Sequence, residues 1–178
     1  DEDLSADLDH RLWEDLFRDT GPEFVEAKLA ERETRHKRQG GSRYLVEPNI
    51  KEGKGGLRDL QALFWLGKYL YNVQDEAELV EKGLFAEDER EVFAEAECFL
   101  GSVRCHLHLA AGRASEQLTF DMQGEVARAM GYRDDAGQMG VERFMQAYFR
   151  HARAVGELSR IFLVVLEGRH IKQRPTIT

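Results

Sequence analysis

Residues 47–61 read EPNIKEGKGGLRDLQ, and they interrupt a chain that elsewhere has the apolar spacing of helices. Pro48 fixes its own φ and disfavours the α conformation in the residue before it. Three glycines then allow left-handed backbone or close backbone contacts; they are Gly53, Gly55 and Gly56. Because a strongly apolar segment begins at Leu57, the stretch predicts a glycine-rich loop that leads into a helix.

The same stretch carries three cations, Lys51, Lys54 and Arg58. Unpaired N–H groups and the positive end of the helix dipole favour anions, so the loop is a candidate phosphate site. The alternative is an ordinary turn whose cations are solvated. The spacing of a Walker loop is missing and no strand precedes the glycines, so a dinucleotide-binding fold is not expected.

Arg58 is expected to have an anionic partner, because a cation in the first turn opposes the helix dipole. The candidates are Glu47, Glu52, Asp59 and a bound ligand. A second basic segment, RHKR at residues 35–38, precedes the loop. It is either a solvated helix end with pairs at i, i+4 or a group of cations that converges with the loop on a polyphosphate.

Composition excludes several classes of function. The 178 residues include 25 Lys plus Arg and 33 Asp plus Glu, which gives a formal net charge of −8. Such a chain is a poor general binder of nucleic acid. No apolar run reaches the ~20 residues of a membrane span and no signal peptide opens the sequence, so the cytoplasm is the expected compartment.

Apolar periodicity predicts six to seven helices, with the principal segments at residues 5–19, 57–71, 87–111 and 141–166. The first segment repeats leucine every four residues and is expected to face the core; the repeat is Leu4, Leu8, Leu12 and Leu16. Residues 39–56 form one long irregular segment. The expected fold is an all-α helical bundle with a long glycine-rich basic loop. We expect a single domain over 1–170 and a linker or tail over 171–178.

No catalytic or metal motif is legible. His106 and His108 are two residues apart on a predicted helix and face different sides, and no HExxH or adjacent His-Asp pair occurs. Cys98 and Cys105 are seven apart on the same helix, too far for a disulfide within the chain. We interpret them as small buried hydrophobic residues in a reducing compartment.

Four separate blocks of the sequence resemble the bacterial PII uridylyltransferases, the bifunctional uridylyltransferase and uridylyl-removing enzymes of nitrogen signalling. The blocks are EPNIKEGKGGLRDLQ (47–61), RCHLHLAAGR (104–113), LTFDMQGEVARAMGY (118–132) and VERFMQAYFRHARAVGELSR (141–160). They occur in the family's order at matching separations, so the resemblance covers nearly the whole chain. It implies the helical domain between an N-terminal nucleotidyltransferase core and an HD-type hydrolase domain.

The resemblance also implies a parent enzyme that transfers UMP from UTP to a PII protein and requires Mg²⁺. The family's Gly-Ser motif with two aspartates and its His-Asp metal motif are both missing from this sequence. The chain alone is therefore expected to be inactive, with no catalytic residue, metal ligand or cofactor of its own. By this resemblance, six residues of the loop are candidates for nucleotide binding or for a domain interface: Asn49, Lys51, Glu52, Lys54, Arg58 and Asp59.

Two functions from different classes follow. In the first, the domain lends loop residues to a nucleotide cleft. In the second, it is a non-catalytic scaffold that orients the catalytic domains and PII through protein contacts, without nucleic acid or membrane. A further alternative is the helical part of a related glutamine-synthetase adenylyltransferase or another nucleotidyltransferase-linked regulator.

Overall fold

A computed structural model describes residues 2–17 and 20–171, and within these ranges it contains helices and no strand. The helices are α1 (Glu2–Leu12), which continues as a π-helical segment (Trp13–Phe17), α2 (Gly21–Arg38), α3 (Leu57–Tyr71), α4 (Glu76–Glu81), α5 (Glu87–Ala111), α6 (Phe120–Ala129) and α7 (Gly140–Ile171). The predicted all-α bundle is confirmed.

Three long helices form the centre of the bundle, because α7 packs along α5 and both pack against α3. Their facing sides are apolar and fully buried; examples are Leu60, Leu63, Leu100, Val103, Phe144 and Phe162. Each such side chain stabilises the fold by about 1.5–3 kcal/mol relative to leaving it in water. The periodic apolar residues of the sequence therefore meet in one continuous core.

The fourth helix lies close against α3 at a glycine. A Cβ at Gly67 would lie 2.7 Å from a methyl carbon of Leu79, which is shorter than any ordinary contact. The two helices approach each other at this point because Gly67 has no side chain.

The last helix is longer than its apolar pattern indicated. The prediction ended near Leu166, but α7 continues to Ile171. Arg169 explains the extension, since its Nη2 donates to the carbonyls of Lys82 (2.8 Å) and Gly83 (2.9 Å) and its guanidinium lies over the ring of Tyr71. Of the predicted tail, residue 171 belongs to α7 and residues 172–178 lie outside the described part of the chain.

The prediction that the first helix faces the core is wrong for the leucines whose side chains are described near its start. Leu4 is 72% exposed and Leu8 is 58% exposed. An amphipathic pattern identifies a helix face that favours an apolar partner surface. It does not say whether this chain supplies that surface. Within the described residues, no packing surface covers this face of α1 near Leu4 and Leu8.

The two cysteines are exposed, so their interpretation as buried residues is also wrong. The buried side of α5 consists of Phe93, Ala96, Leu100, Val103 and Leu107. A helix turns about 100° per residue, so Cys98 and Cys105 each lie two positions, or about 200°, from a residue at the centre of that buried stripe. A preference for burial did not override the geometry of the helix.

None of the described helices combines the length and the apolar character that crossing a membrane requires.

Candidate functional site

The loop between α2 and α3 is fixed to α6 and to the segment that precedes it. The N–H of Ile50 donates to the carbonyl of Glu116 (2.8 Å), and the N–H of Leu118 donates to the carbonyl of Pro48 (2.9 Å). The Nε2 of Gln123, itself buried, donates to the carbonyl of Val46 (2.6 Å). These long-range bonds hold the loop in one position on the bundle, although the loop itself forms no helix or strand.

The glycines of the loop allow backbone to lie directly against backbone. A Cβ at Gly53 would lie 2.4 Å from the carbonyl oxygen of Asn49, and one at Gly56 would lie 2.5 Å from that of Ile50. Gly55 has φ +81°, and a Cβ there would lie 2.3 Å from the carbonyl oxygen of Ala152 on α7. All three glycines are buried, so their first role is packing of the loop onto the core.

Asn49 shapes the first turn of the loop. Its Oδ1 accepts hydrogen bonds from the N–H groups of Lys51 (3.2 Å) and Glu52 (2.7 Å). An asparagine side chain that bonds to the backbone two or three residues on stabilises a turn without a helix or strand. The carbonyl of Asn49 also accepts from Gly53, so this residue organises the turn from both its side chain and its backbone.

Asp59 is the buried centre of the site. Its carboxylate accepts from the N–H of Gly55 (2.9 Å), from Nε2 of His36 (2.9 Å) and from Nη2 of Arg35 (2.5 Å). The Nε of Arg32 lies 3.4 Å away. Burial by itself raises the pKa of Asp59, but the hydrogen bond from His36 and the charge of Arg32 outweigh it, so the pKa lies below its usual range.

The anionic partner of Arg58 is Glu52. Nη2 of Arg58 lies 3.0 Å from Oε1 of Glu52, and its Nε lies 3.3 Å from the same oxygen. Glu52 also lies 3.8 Å from Nε of Arg35, so one carboxylate stands between two guanidinium groups. The pair of Arg58 and Glu52 is partly exposed, and this leaves Arg58 able to contact a molecule outside the chain.

Lys51 and Lys54 are half-exposed, and within residues 2–17 and 20–171 neither forms an ion pair within 4 Å. The charge of Lys51 nevertheless contributes, after burial and the pairing with Arg104, to a lowered pKa of Glu116. Of the basic end of α2, Arg35 and His36 turn inward to Asp59, whereas Lys37 pairs with Glu33 on the exposed side.

A cavity of about 260 Å³ lies between α2 and α3, beside the loop. The charged and aromatic residues that line it are Phe24, Lys28, Glu31, Arg35, Arg58 and Trp65. Arg35 and Arg58, which the sequence suggested could converge, do meet here. Lys28 and Trp65 were not among the predicted candidates, because neither lies in the glycine-rich loop or in the basic segment 35–38.

The part of the chain that the structure describes contains no group of three or more His, Cys, Asp or Glu side chains placed to hold a metal ion. The two adjacent aspartates of the turn before α7 accept hydrogen bonds from the backbone. Asp134 accepts from the N–H of Gly140 (2.8 Å), and Asp135 accepts from the N–H of Ala136 (2.6 Å).

Comparison with known proteins places the chain in a family. The family described as GlnD PII-uridylyltransferase matches residues 23–163. A bifunctional uridylyltransferase/uridylyl-removing enzyme of Cereibacter sphaeroides is 63% identical over 174 residues, which cover 98% of this chain and 19% of that protein. Proteins of the same name are 60% identical in Ruegeria pomeroyi, with the same coverage, and 52% identical in Rhodospirillum rubrum, where all of this chain and 19% of that protein are covered.

The chain thus spans about a fifth of the length of these curated relatives. No solved structure gives a significant match. The family match covers most of the described helices, from the start of α2 into the second half of α7, and it includes the whole loop. The chain therefore belongs to the GlnD PII-uridylyltransferase family.

Proposed function

We propose that this chain is the helical domain of an enzyme that transfers UMP from UTP to a PII signalling protein in the cytoplasm. The observation that carries the proposal is the identity of 63% over 98% of the chain to a protein named for that activity. The chain covers only 19% of that relative, which supports a multidomain parent. The neighbours proposed are a nucleotidyltransferase core on the N-terminal side and an HD-type domain on the C-terminal side.

The chemistry of transfer belongs to the neighbouring core in this proposal. The core supplies the catalytic carboxylates and binds UTP with Mg²⁺, while the helical domain closes one side of the nucleotide cleft. Lys51, Lys54 and Arg58 are the residues proposed to face that cleft, because each combines a positive charge with a partly exposed side chain. Asn49, Glu52 and Asp59 act through them, since their bonds fix the course of the loop.

Arg58→Ala in the full-length protein tests the proposal. We expect the rate of UMP transfer at limiting UTP to fall about tenfold or more, as the loss of a charged hydrogen bond predicts. Glu52→Gln is the matched variant, because it removes the negative charge that pairs with Arg58 and keeps the cation. Lys82→Ala, an exposed lysine at the end of α4, controls for a loss of surface charge.

Comparing the two variants distinguishes nucleotide binding by Arg58 from a structural role of the Arg58–Glu52 pair. A loss in Arg58→Ala that is much larger than in Glu52→Gln supports contact of Arg58 with nucleotide. Equal losses in both variants support a role for the pair in holding the loop. Transfer at the wild-type rate by a folded Arg58→Ala protein would refute the assignment of Arg58.

The alternative is a scaffold that orients the catalytic domains and PII without touching the nucleotide. The internal pairing of the loop favours it, since Asp59 is buried among three cationic or imidazole side chains and Arg58 already has a carboxylate partner. Under this alternative, loop variants lower domain association and thermal stability but leave the KM for UTP unchanged.

A further inference from the structure

The cavity between α2 and α3 has a positive lining. Lys28, Arg35 and Arg58 carry three positive charges into it, and Glu31 carries one negative charge. The Nζ of Lys28 lies 2.7 Å from Glu31. This hydrogen bond is the main reason that the pKa of Glu31 is lowered, and the charges of Lys28, Arg35 and Arg58 lower it further. Three cationic side chains therefore line one small cavity in a chain whose net charge is −8.

Arg35 has an unused donor at this site. Its side chain is only 10% exposed, and its Nε is buried with no hydrogen-bond acceptor in the described residues. The nearest carboxylate oxygen, on Glu52, lies 3.8 Å away, which is too long for a hydrogen bond. Because that nitrogen is buried from solvent, Arg35 acts on the cavity through its positive charge, which would stabilise an anion bound there.

Trp65 supplies the exposed aromatic surface of the cavity, which the half-buried Phe24 of α2 also lines. Trp65 is 58% exposed, whereas α3 buries Leu57, Leu60, Leu63 and Leu66 in the core. Arg58, Gln61 and Trp65 lie at positions i, i+3 and i+7, so they share one stripe of α3 that the bundle does not cover. An exposed indole ring beside guanidinium groups offers both stacking and charge to a ligand that combines a flat base with phosphates.

We infer that the cavity between α2 and α3 binds a nucleotide, with its phosphates on Lys28, Arg35 and Arg58 and its base stacked on Trp65. The inference rests on the proposed function for its choice of a uridine nucleotide. It places the nucleotide against the α2 side of Arg58, so that Lys28 and Trp65 join the contact surface. Lys51 and Lys54, which do not line this cavity, are secondary to it.

The test measures binding to the full-length protein with two probes, UTP with Mg²⁺ and inorganic pyrophosphate. Trp65→Ala is expected to weaken UTP binding about tenfold and to change pyrophosphate binding less than about twofold, because only UTP has a base to stack. Lys28→Ala is expected to weaken both probes about tenfold.

Two controls match these variants. Lys37→Ala removes another lysine of α2 that pairs with a nearby glutamate, and Phe120→Ala removes another exposed aromatic residue. Both are expected to bind UTP and pyrophosphate as the wild type does. Because Lys28 and Trp65 are exposed or half-exposed, their variants should fold, which circular dichroism and the thermal midpoint check.

UTP binding at wild-type affinity by both Trp65→Ala and Lys28→Ala would overturn the inference. Reduced transfer to PII with unchanged UTP affinity would also overturn it, and would assign the surface to protein docking. Neither result affects the proposed function, which stands if the wild-type protein transfers UMP. That function fails separately, if the full-length protein transfers no UMP to PII.

Discussion

At the scale of single residues, Gly55 and Asp59 hold the loop to two different helices. The Cα of Gly55 lies against the carbonyl of Ala152 on α7, and its N–H donates to Asp59. Asp59 in turn binds Arg35 and His36 of α2. The loop is therefore held by one tight backbone contact and one buried carboxylate. Substitutions at these two residues are expected to destabilise the whole site.

Gly55→Ala is expected to lower the free energy of unfolding by about 2–4 kcal/mol, because the new Cβ would meet a carbonyl oxygen and φ is positive. Urea unfolding of the 178-residue chain measures it. Gly101→Ala is the control, since a Cβ there meets nothing within 4 Å in the interior of α5. It should stabilise the chain by about 0.5–1 kcal/mol. A neutral Gly55→Ala variant would contradict this account of the loop.

Asp59→Asn is expected to cost about 3–5 kcal/mol at neutral pH, because it leaves buried cationic groups without their carboxylate. The pKa of Asp59 is lowered in the folded state, so its contribution is present above the ordinary aspartate pKa of about 3.9 and is lost as the pH falls through the folded value.

The difference in unfolding free energy between the wild type and Asp59→Asn should thus be constant near neutral pH. It should shrink once the pH falls below about 4. Asp88→Asn, at an exposed position, controls for the general effect of removing a carboxylate. A difference that grows on acidification would show that Asp59 is not the ionised centre of the cluster.

At the scale of elements, α1 differs from the other long helices because described leucines on its apolar stripe are exposed. Leu4 and Leu8 lie on that stripe, and both are more than half exposed. By contrast, the apolar stripes of α3, α5 and α7 meet each other in the core. The same periodic pattern therefore has two outcomes in one chain, and the outcome depends on where a partner surface is available.

Leu8→Ser is expected to change the unfolding free energy of the 178-residue chain by less than about 0.5 kcal/mol, because substitutions at exposed positions usually have small effects. Leu63→Ala, in the buried face of α3, should cost about 2–5 kcal/mol and is the comparison. Thermal or urea unfolding distinguishes the two. A large effect of Leu8→Ser would mean that α1 is packed against the bundle.

At the scale of the whole molecule, the described residues form a helical bundle with one ordered, partly exposed basic site. The chain corresponds to 19% of the length of its curated relatives. In the proposed function, the domains that complete the cleft lie in the remaining length. The cations and the exposed indole of the α2–α3 cavity lie together on one side of α3. This arrangement fits a domain that contributes a surface to a site rather than a complete site.

The 178-residue chain alone is expected to transfer no UMP from UTP to PII, because it lacks the Gly-Ser and aspartate motif that the family resemblance assigns to the catalytic core. An assay of labelled UMP incorporation into PII measures this, with the full-length protein as the positive control. Incorporation by the isolated chain above the level without protein would contradict the proposed division of labour.

The sequence by itself determined the helices and the position of the loop. The 3.6-residue apolar period located α3 and α5 at their observed boundaries, and Pro48 and the glycines of residues 47–56 indicated the irregular loop that precedes α3. It also indicated that Arg58 needs an anionic partner. These features are local, because each depends on residues a few positions apart.

The tertiary structure alone decided which residues each side chain meets. Glu52 was one of four candidates for Arg58, and only the folded loop selects it. The burial of Asp59, the extension of α7 by Arg169 and the exposure of Leu8 and Trp65 depend on surfaces brought together from distant segments. Periodicity fixes which face of a helix is apolar, but contact between helices decides whether that face is covered.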